Sequence, residues 1–146
     1  MNGVFPVFDI DFEIDVTSRS STPDFQPIKE METFTIAIDG NVQEWTPMET
    51  EGWVRRLMTG KSFTLTLNGK RHVGDPGNDY VANMAWASGL DCSTTMRVNF
   101  PSGAMLEFDC VLNVTEAEGG ESTDVAALSV EVMSDGKPSY TPPQTP

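Results

Sequence analysis

Residues 105–114 read MLEFDCVLNV, and apolar side chains occupy every second position of this stretch. A period of two is typical of a β-strand with one buried face, because successive side chains of a strand point to opposite sides. MRVNF at 96–100 has the same period, and Pro101-Ser102-Gly103 between the two stretches favours a turn. The two stretches therefore predict an antiparallel hairpin whose inward side chains are Met96, Val98, Phe100, Leu106, Phe108, Cys110, Leu112 and Val114.

Four further stretches alternate in the same way: FDIDFEIDV at 8–16, TFTIAID at 33–39, SFTLTLN at 62–68 and ALSVEV at 127–132. Asp39-Gly40 and Asn68-Gly69 have the composition of two-residue hairpin turns. After the first of these turns, VQEW at 42–45 is expected to return antiparallel.

Two stretches break the period-two pattern. Residues 75–89, DPGNDYVANMAWASG, predict one amphipathic helix capped by Asp75, with Pro76 at its first position and Gly89 at its end. Residues 46–60 have no clean period and predict a long connection with at most one short helical turn, at WVRRLM. The fold class expected from this order is all-β with one helix, a sandwich or barrel of six to eight strands.

Length and charge limit the function. The 146 residues, 38% of them hydrophobic, suffice for a single domain with one core. A formal net charge of −13 argues against a protein that holds nucleic acid or an anionic membrane through a basic patch. The N-terminus does not resemble a signal peptide and no apolar run is long enough for a membrane span, so we expect a soluble protein made in a cytoplasm.

The residues that usually carry catalysis or metals do not form a constellation. His72 is the only histidine and has no serine or cysteine placed to be its partner. Cys92 and Cys110 lack the spacing of a zinc site; Cys110 is expected to be a buried hydrophobe, and a disulfide between the two stays open. We expect no enzymatic activity, no metal and no cofactor.

FDIDFEIDV places four carboxylates, Asp9, Asp11, Glu13 and Asp15, on one face of a predicted strand. A calcium-binding loop needs glycine at its sixth position, where this stretch has Ile14. Neighbouring carboxylates on a strand face also lie about 6.6–7 Å apart, which is too far to share one ion tightly. Two interpretations remain, a plain solvated face and a functional acidic surface.

The three tryptophans fall in or beside the irregular centre of the chain. Trp86 is expected to pack in the core from the predicted helix. Trp45 and Trp53 flank PMETEGWVRR, which brings aromatic and arginine side chains to a predicted loop. Because tryptophan and arginine are enriched at protein–protein interfaces, we expect an interface there.

From about residue 33 to residue 140 the sequence resembles the major tail tube proteins of long-tailed, non-contractile bacteriophages. Four pieces carry the resemblance in their order and spacing: TIAIDGNVQEWTPM, EGWVRRLMTGKSFTLTLNGKRHVGDPGNDYVANMA, MRVNFPSGAMLEFDCVLNV and ALSVEVMSDGKPSYTP. The resemblance implies a single tail tube domain over 1–146, six copies of which close into a ring. It also implies that such rings stack into the tube through which phage DNA leaves the capsid.

Under this resemblance the long loop at 46–60 would reach the neighbouring ring, and arms at 1–6 and 138–146 would add contacts between subunits. The expected ring-stacking residues are Trp45, Trp53, Arg55, Arg56 and Lys61. A lumen crossed by DNA should repel phosphate, and the candidate lumen acids are Asp9, Asp11, Glu13, Asp15, Glu107 and Asp109. On the residues alone, 9–15 and 105–114 compete for the place that lines the bore.

The resemblance also implies partners and a location. The expected partners are other copies of the chain, a tape measure protein, a tail terminator and baseplate-proximal tail proteins, with phage DNA passing unbound and no membrane. The expected location is the virion tail, and the host cytoplasm during assembly. The alternative is a related tube or adaptor component of a contractile tail or of a type VI secretion machine, which share the fold.

Overall fold

A computed structural model describes residues 3–143 of the chain. Its regular elements are β1 (Asp11–Asp15), β2 (Phe25–Pro27), β3 (Met31–Trp45), β4 (Arg55–Lys70), α1 (Pro76–Asn83), β5 (Ser93–Asn99), β6 (Met105–Gly119), β7 (Ala127–Ser134) and β8 (Ser139–Thr141). The all-β class with one helix is thereby confirmed. In the described part of the chain no helix is long and apolar enough to cross a membrane.

All eight strands belong to one antiparallel sheet with the order β2-β1-β5-β6-β7-β4-β3, and β8 pairs with β6 as well. The sheet curls, because Phe12 on β1 and Phe34 on β3 meet edge to face with ring centroids 4.9 Å apart although their strands are far apart in this order. The strands at the two ends of the order, β2 and β3, each pair on one side only among the described residues.

The buried face of the curled sheet forms the core with α1. The predicted inward side chains of β5 and β6 are confirmed, since Met96, Val98, Phe108, Cys110 and Leu112 are all buried there. The turn at 101–103 between these strands is also confirmed. Further core residues come from the other strands and the helix: Ile14, Leu65, Leu67, Val81, Leu128, Val130 and Val132.

The helix begins as predicted and ends earlier. The side chain of Asp75 accepts a hydrogen bond from the backbone N–H of Asn78, and Pro76 takes the first helical position. A β-carbon at Gly77 would lie 2.2 Å from the carbonyl oxygen of Pro27, so only glycine allows α1 to approach β2 this closely.

The expectation that Trp86 packs in the core is wrong. The α-helix ends at Asn83, and Met84–Trp86 continues as a 3₁₀ turn. Met84 still packs against the core, but a 3₁₀ turn has 3.0 residues per turn and an α-helix 3.6, so the side chain two positions later is turned away from the core. The Trp86 side chain is 88% exposed.

The predicted turns at Asp39-Gly40 and Asn68-Gly69 do not exist. Both pairs lie inside long strands, since β3 is paired with β4 from Met31 to Trp45, with register shifts near its start and between Asn41 and Val42. VQEW therefore continues β3 outward and does not return. Cross-strand pairing over this length overrides the local preference of Asp-Gly and Asn-Gly for turns.

The connection after β3 is shorter than the predicted loop at 46–60. It covers residues 46–54 with a 3₁₀ turn at Met48–Thr50, and β4 already begins at Arg55, where a helical turn was expected. Of the predicted arm at 138–146, Ser139–Thr141 forms β8 on the sheet, and residues 144–146 lie outside the described chain. Of the predicted arm at 1–6, residues 1–2 lie outside it.

FDIDFEIDV is a strand in its second half only. Val7–Asp9 forms a 3₁₀ turn, so Phe8 does not reach the core and its side chain is 84% exposed. Strand β1 starts at Asp11, with Ile14 fully buried.

Candidate assembly surfaces

The β3–β4 hairpin extends beyond the sheet. Strand β7 pairs with β4 from Lys70 to Thr64 and no further, so within the described part of the chain residues 39–62 form a two-stranded ribbon. We call residues 39–62 the hairpin arm. An isolated two-stranded hairpin is marginally stable in water, and this arm carries exposed apolar side chains along its length: Val42, Trp45, Met48, Trp53, Val54, Leu57 and Met58. Apolar side chains gathered in this way mark an interaction surface.

The connection at the end of the arm, residues 48–54, is here called the tip. Met48 is 97% exposed and Trp53 is 77% exposed, with Val54 beside them. The tip contains two acids, Glu49 and Glu51, and no base. Thr50 holds the turn, since its hydroxyl lies 2.9 Å from the carbonyl oxygen of Pro47 and 2.8 Å from that of Trp53.

The predicted ring-stacking residues fall at two places on the arm. Next to the tip, the guanidinium of Arg55 lies 5.4 Å from the ring centroid of Trp45, and Arg56 donates to Glu44 at 2.8 Å. Both pairs join β3 to β4 where the strands leave the turn. Lys61 lies at the other end of the arm, opposite Gly40.

The apolar residues Val42, Leu57 and Met58 of the arm were not predicted as interface residues. The register of a continuous hairpin would have revealed them.

A groove lies at the base of the arm, with a volume of about 910 Å³. Side chains from β3, β4, β6 and β8 form most of its wall, including Ile36, Ile38, Phe63, Leu106 and Tyr140. The charged residues that line it are both cationic, namely Lys61 and Lys137. We call this the basal groove.

The two predicted rows of acids lie on one and the same face of the sheet. Glu13 on β1 is opposite Arg97 on β5, and Arg97 is opposite Glu107 on β6. Arg97 donates to Glu107 at 2.7 Å and lies 3.5 Å from Glu13, so one cation sits between the two carboxylates. The rows at 9–15 and 105–114 are therefore not alternatives.

Asp15, a candidate lumen acid, does not belong to this surface, because the residue is only 1% exposed. Its carboxylate accepts hydrogen bonds from the backbone N–H groups of Thr17 at 2.9 Å, Asp24 at 3.2 Å and Arg19 at 3.1 Å, and from the Thr17 hydroxyl. Burial acts to raise the pKa of Asp15, but these hydrogen bonds outweigh it and hold the pKa below its usual value of 3.8. Asp15 organises the loop between β1 and β2.

The remaining candidates differ in their surroundings. Asp9 lies in the 3₁₀ turn before β1, and Asp11 is exposed at the start of β1. Asp109 is exposed on β6 and accepts a hydrogen bond from the Thr95 hydroxyl at 2.9 Å. Glu131 on β7 lies opposite Asn113 of β6 and joins the same face. Glu131 was not among the predicted lumen acids, although the period of ALSVEV turns it away from the core.

The polar cluster around the helix is structural. Asn78 is fully buried, and its side chain accepts from Arg71 and from the backbone N–H of His72 while donating to the carbonyls of Lys29 and Lys70. The hydrogen bond from Arg71, 2.7 Å long, holds the pKa of Asp79 below its usual value.

Both cysteines are free and buried. Burial raises the pKa of the Cys110 thiol to about 12, which keeps it protonated and unreactive at neutral pH. This agrees with the expectation of a small buried hydrophobe.

Comparison with known proteins gives similarity in structure and none in sequence. No protein-family model and no curated protein matches the chain. A chain of the tail of an empty gene transfer agent particle, obtained by helical refinement with C6 symmetry, superposes with a TM-score of 0.72 at 16% identity, over 95% of this chain and 100% of that one. A chain of the sheath/tube terminator of an extracellular contractile injection system has a TM-score of 0.61 at 12% identity, over 97% and 99%.

The chain has the fold of tail tube proteins. A chain of the anti-feeding prophage cap, which terminates a tube, extends this group with a TM-score of 0.62 at 9% identity, over 97% of this chain and 93% of that one. Non-contractile tails in particular are not singled out, because the matches include contractile injection systems. At such identities the similarity applies to the fold, and the surfaces described above carry the argument for function.

Proposed function

We propose that this protein is a structural subunit of a tail tube, in which copies of the chain form hexameric rings and the rings stack into a hollow tube. The observation that carries the proposal is the hairpin arm, which extends exposed Trp53 and Met48 away from a complete core on a tail tube fold. A monomer gains nothing from this arm, because its apolar side chains stay in water. A stacked assembly would bury them.

Ring closure would use the two ends of the sheet. Strands β2 and β3 present unpaired backbone edges in the described structure, and such edges pair readily with another chain. A ring made of one kind of chain needs two different contact surfaces on each copy, and the two ends of the sheet provide them. Six copies are proposed because the gene transfer agent tail that shares the fold has C6 symmetry.

The acidic face of the sheet is proposed to line the bore. Asp11, Glu13, Glu107, Asp109 and Glu131 lie on it with one central cation, Arg97, which its two carboxylate neighbours neutralise. Arg19, which lies 4.0 Å from Asp109, is paired as well, with Asp135 at 3.0 Å, so among the described residues the cations beside these acids are all held by carboxylates and offer DNA phosphates no free charge. Phage DNA would then pass without binding, since each phosphate–cation contact strengthens attachment.

The proposed location is the tail of a virion, after assembly in the host cytoplasm. The proposed partners are other copies of this chain along the tube and, at its ends and interior, a tail terminator, baseplate-proximal proteins and a tape measure protein. Terminating components exist for assemblies with this fold, as the sheath/tube terminator and the tube-terminating cap among the structural matches illustrate. No enzymatic role is proposed.

Negative-stain electron microscopy of the purified chain tests the proposal. We expect hexameric rings and hollow tubes whose abundance increases with protein concentration. The control is the same chain with Trp53 replaced by alanine, which should remain folded and form fewer tubes. A chain that stays monomeric at high concentration, with no tubes after seeding with preformed particles, would contradict the proposal.

A second candidate function is a tube or adaptor in a contractile tail or in a type VI secretion machine. The matches to the sheath–tube complex and to the sheath/tube terminator of a contractile injection system favour it. The two candidates differ at the outer surface of the tube, which a contractile system covers with a sheath. Micrographs of native particles that contain this chain distinguish them, since a sheath that shortens indicates the contractile type.

A further inference from the structure

We propose that the tip of the hairpin arm of one copy docks into the basal groove of a second copy. This inference rests on the proposed function and identifies both halves of its stacking contact. The tip consists of residues 48–54, and the receiving surface is the groove lined by Ile36, Ile38, Phe63, Leu106 and Tyr140.

The first argument is the chemistry of the two surfaces. The tip presents Met48, Trp53 and Val54 to solvent, and the wall of the groove is predominantly aliphatic and aromatic. A groove of about 910 Å³ lies at the upper end of the range of clefts that enclose small ligands, about 300–1,000 Å³. It therefore has room for a tryptophan together with a neighbouring side chain. Burial of a tryptophan in a pocket is typical of the residues that dominate interface energetics.

The second argument is charge complementarity. The charged residues of the tip are Glu49 and Glu51, and those lining the groove are Lys61 and Lys137. Two lysines with no acid among the described lining residues are unusual in a protein of net charge −13. Neither lysine forms an ion pair with a carboxylate in residues 3–143. Opposite charges at the rim of an apolar contact set its orientation and exclude wrong partners.

The third argument is geometry, which excludes the copy's own tip as the occupant. Ile38 at the groove and Trp45 next to the tip are seven residues apart on one extended strand, a separation of about 23 Å. Pairing of β3 with β4 along this length prevents the arm from folding back. The tip and the groove are different surfaces, so their contact is heterologous and leads to an open stack. Successive copies would be displaced by roughly the length of the arm.

A charge-swap experiment tests the pairing. The tip variant carries Glu49→Lys and Glu51→Lys, the groove variant carries Lys61→Glu and Lys137→Glu, and a third chain carries all four changes. We expect each two-residue variant to shorten tubes at least about tenfold, and the four-residue chain to recover the parental tube length. As a matched control, a chain with Glu121→Lys and Asp124→Lys, two exposed acids of the β6–β7 loop, should keep the parental tube length.

The outcomes separate this inference from the proposed function. If the parent forms tubes and the tip and groove variants form them equally well, the tip–groove contact is wrong and the tube function stands. If both variants block stacking and the four-residue chain does not recover, the two surfaces act but do not meet, which also overturns the inference. Closed dimers as the only product would contradict a heterologous contact.

A cross-linking experiment gives an answer that does not depend on tubes. Copies with Glu51→Cys are mixed with copies with Lys137→Cys under mild oxidation, and the control mixture pairs Glu51→Cys with Lys29→Cys, a site on another part of the surface. The native cysteines, Cys92 and Cys110, are buried and should not compete. We expect at least about tenfold more disulfide-linked dimer in the first mixture than in the control. Equal yields would overturn the inference.

Discussion

Replacement of Asp15 by asparagine should destabilise the monomer, because this buried carboxylate organises the loop after β1. Asparagine keeps the shape of the side chain and loses its charge. Oδ1 of Asp15 accepts from Thr17 and Asp24, and Oδ2 accepts from the backbone N–H of Arg19. An asparagine that keeps its oxygen at the Oδ1 position directs its own N–H₂ group toward the N–H of Arg19, which then lacks an acceptor.

The magnitude follows from these hydrogen bonds. One buried donor left without a partner costs about 1–3 kcal/mol, and the remaining bonds change from charge-assisted to neutral, which roughly halves their strength. The free energy of unfolding should fall by about 2–4 kcal/mol. For a chain of this length each kcal/mol lowers the melting temperature by about 2–4 °C, so we expect a decrease of about 4–16 °C.

The assay is thermal unfolding by circular dichroism at a concentration where sedimentation shows monomers. Asp11→Asn is the matched control, since Asp11 is exposed at the start of the same strand and should change the melting temperature by less than about 2 °C. A melting temperature of Asp15→Asn equal to that of the control would refute the role given to this carboxylate.

The same variant has a defined pH dependence. The pKa of Asp15 is lower in the folded chain than its usual value of 3.8. The stabilisation that the ionised carboxylate gives the fold is therefore complete above pH 3.8 and is lost as the pH falls through the folded pKa. The difference in melting temperature between parent and Asp15→Asn should therefore be full at about pH 7 and should shrink as the pH falls below 3.8. A difference that grows on acidification would contradict the sign of the shift.

Three further predictions concern assembly, the helix and the acidic face. Trp53→Ala should leave the monomer's melting temperature within about 1 °C but raise the protein concentration needed for tubes at least about tenfold, because burying even about 60 Å² of this side chain is worth about 1.5 kcal/mol. The measurement is light scattering, and the control is Trp86→Ala, since Trp86 is also exposed but lies outside the hairpin arm. Asn78→Asp should lower the free energy of unfolding, measured by urea denaturation, by about 3–5 kcal/mol, because it places a carboxylate against two carbonyl oxygens. The control, Asn83→Asp at an exposed position, should cost under about 0.5 kcal/mol. Equal effects of the two changes would contradict the buried network. Asp109→Lys should slow DNA ejection from particles that contain this chain if the acidic face lines the bore, and unchanged ejection kinetics would place that face elsewhere.

Period-two patterns identified most of the sheet, because alternation along a strand depends only on which side chains avoid water. The inward residues of β5 and β6 and the cap at Asp75 were predicted correctly for this reason. Local turn signals misled at Asp39-Gly40, where pairing along the whole hairpin outweighs the preference of two residues. The short strands β2 and β8 escaped notice, since three residues are too few to show a period.

The candidate surfaces depend on contacts between residues that are distant in the chain. FDIDFEIDV was predicted to display four carboxylates on one strand face, but Asp15 is buried by the loop after β1 and Glu13 shares Arg97 with Glu107 of β6. No alternation within one strand can reveal a partner on another. The basal groove is likewise formed by strands from opposite halves of the sequence.

Composition and periodicity were thus enough for the all-β class, the core faces of β4, β5, β6 and β7 and the strongly acidic character of the chain, because these properties are local or additive. On β3 the same period wrongly placed Ile38 inward, where the side chain is 71% exposed. Three features became visible only in the folded sheet: the length of the hairpin arm, the joining of two acidic rows into one face, and the groove at the base of the arm. Each of them depends on strand order and register, which long-range backbone pairing sets.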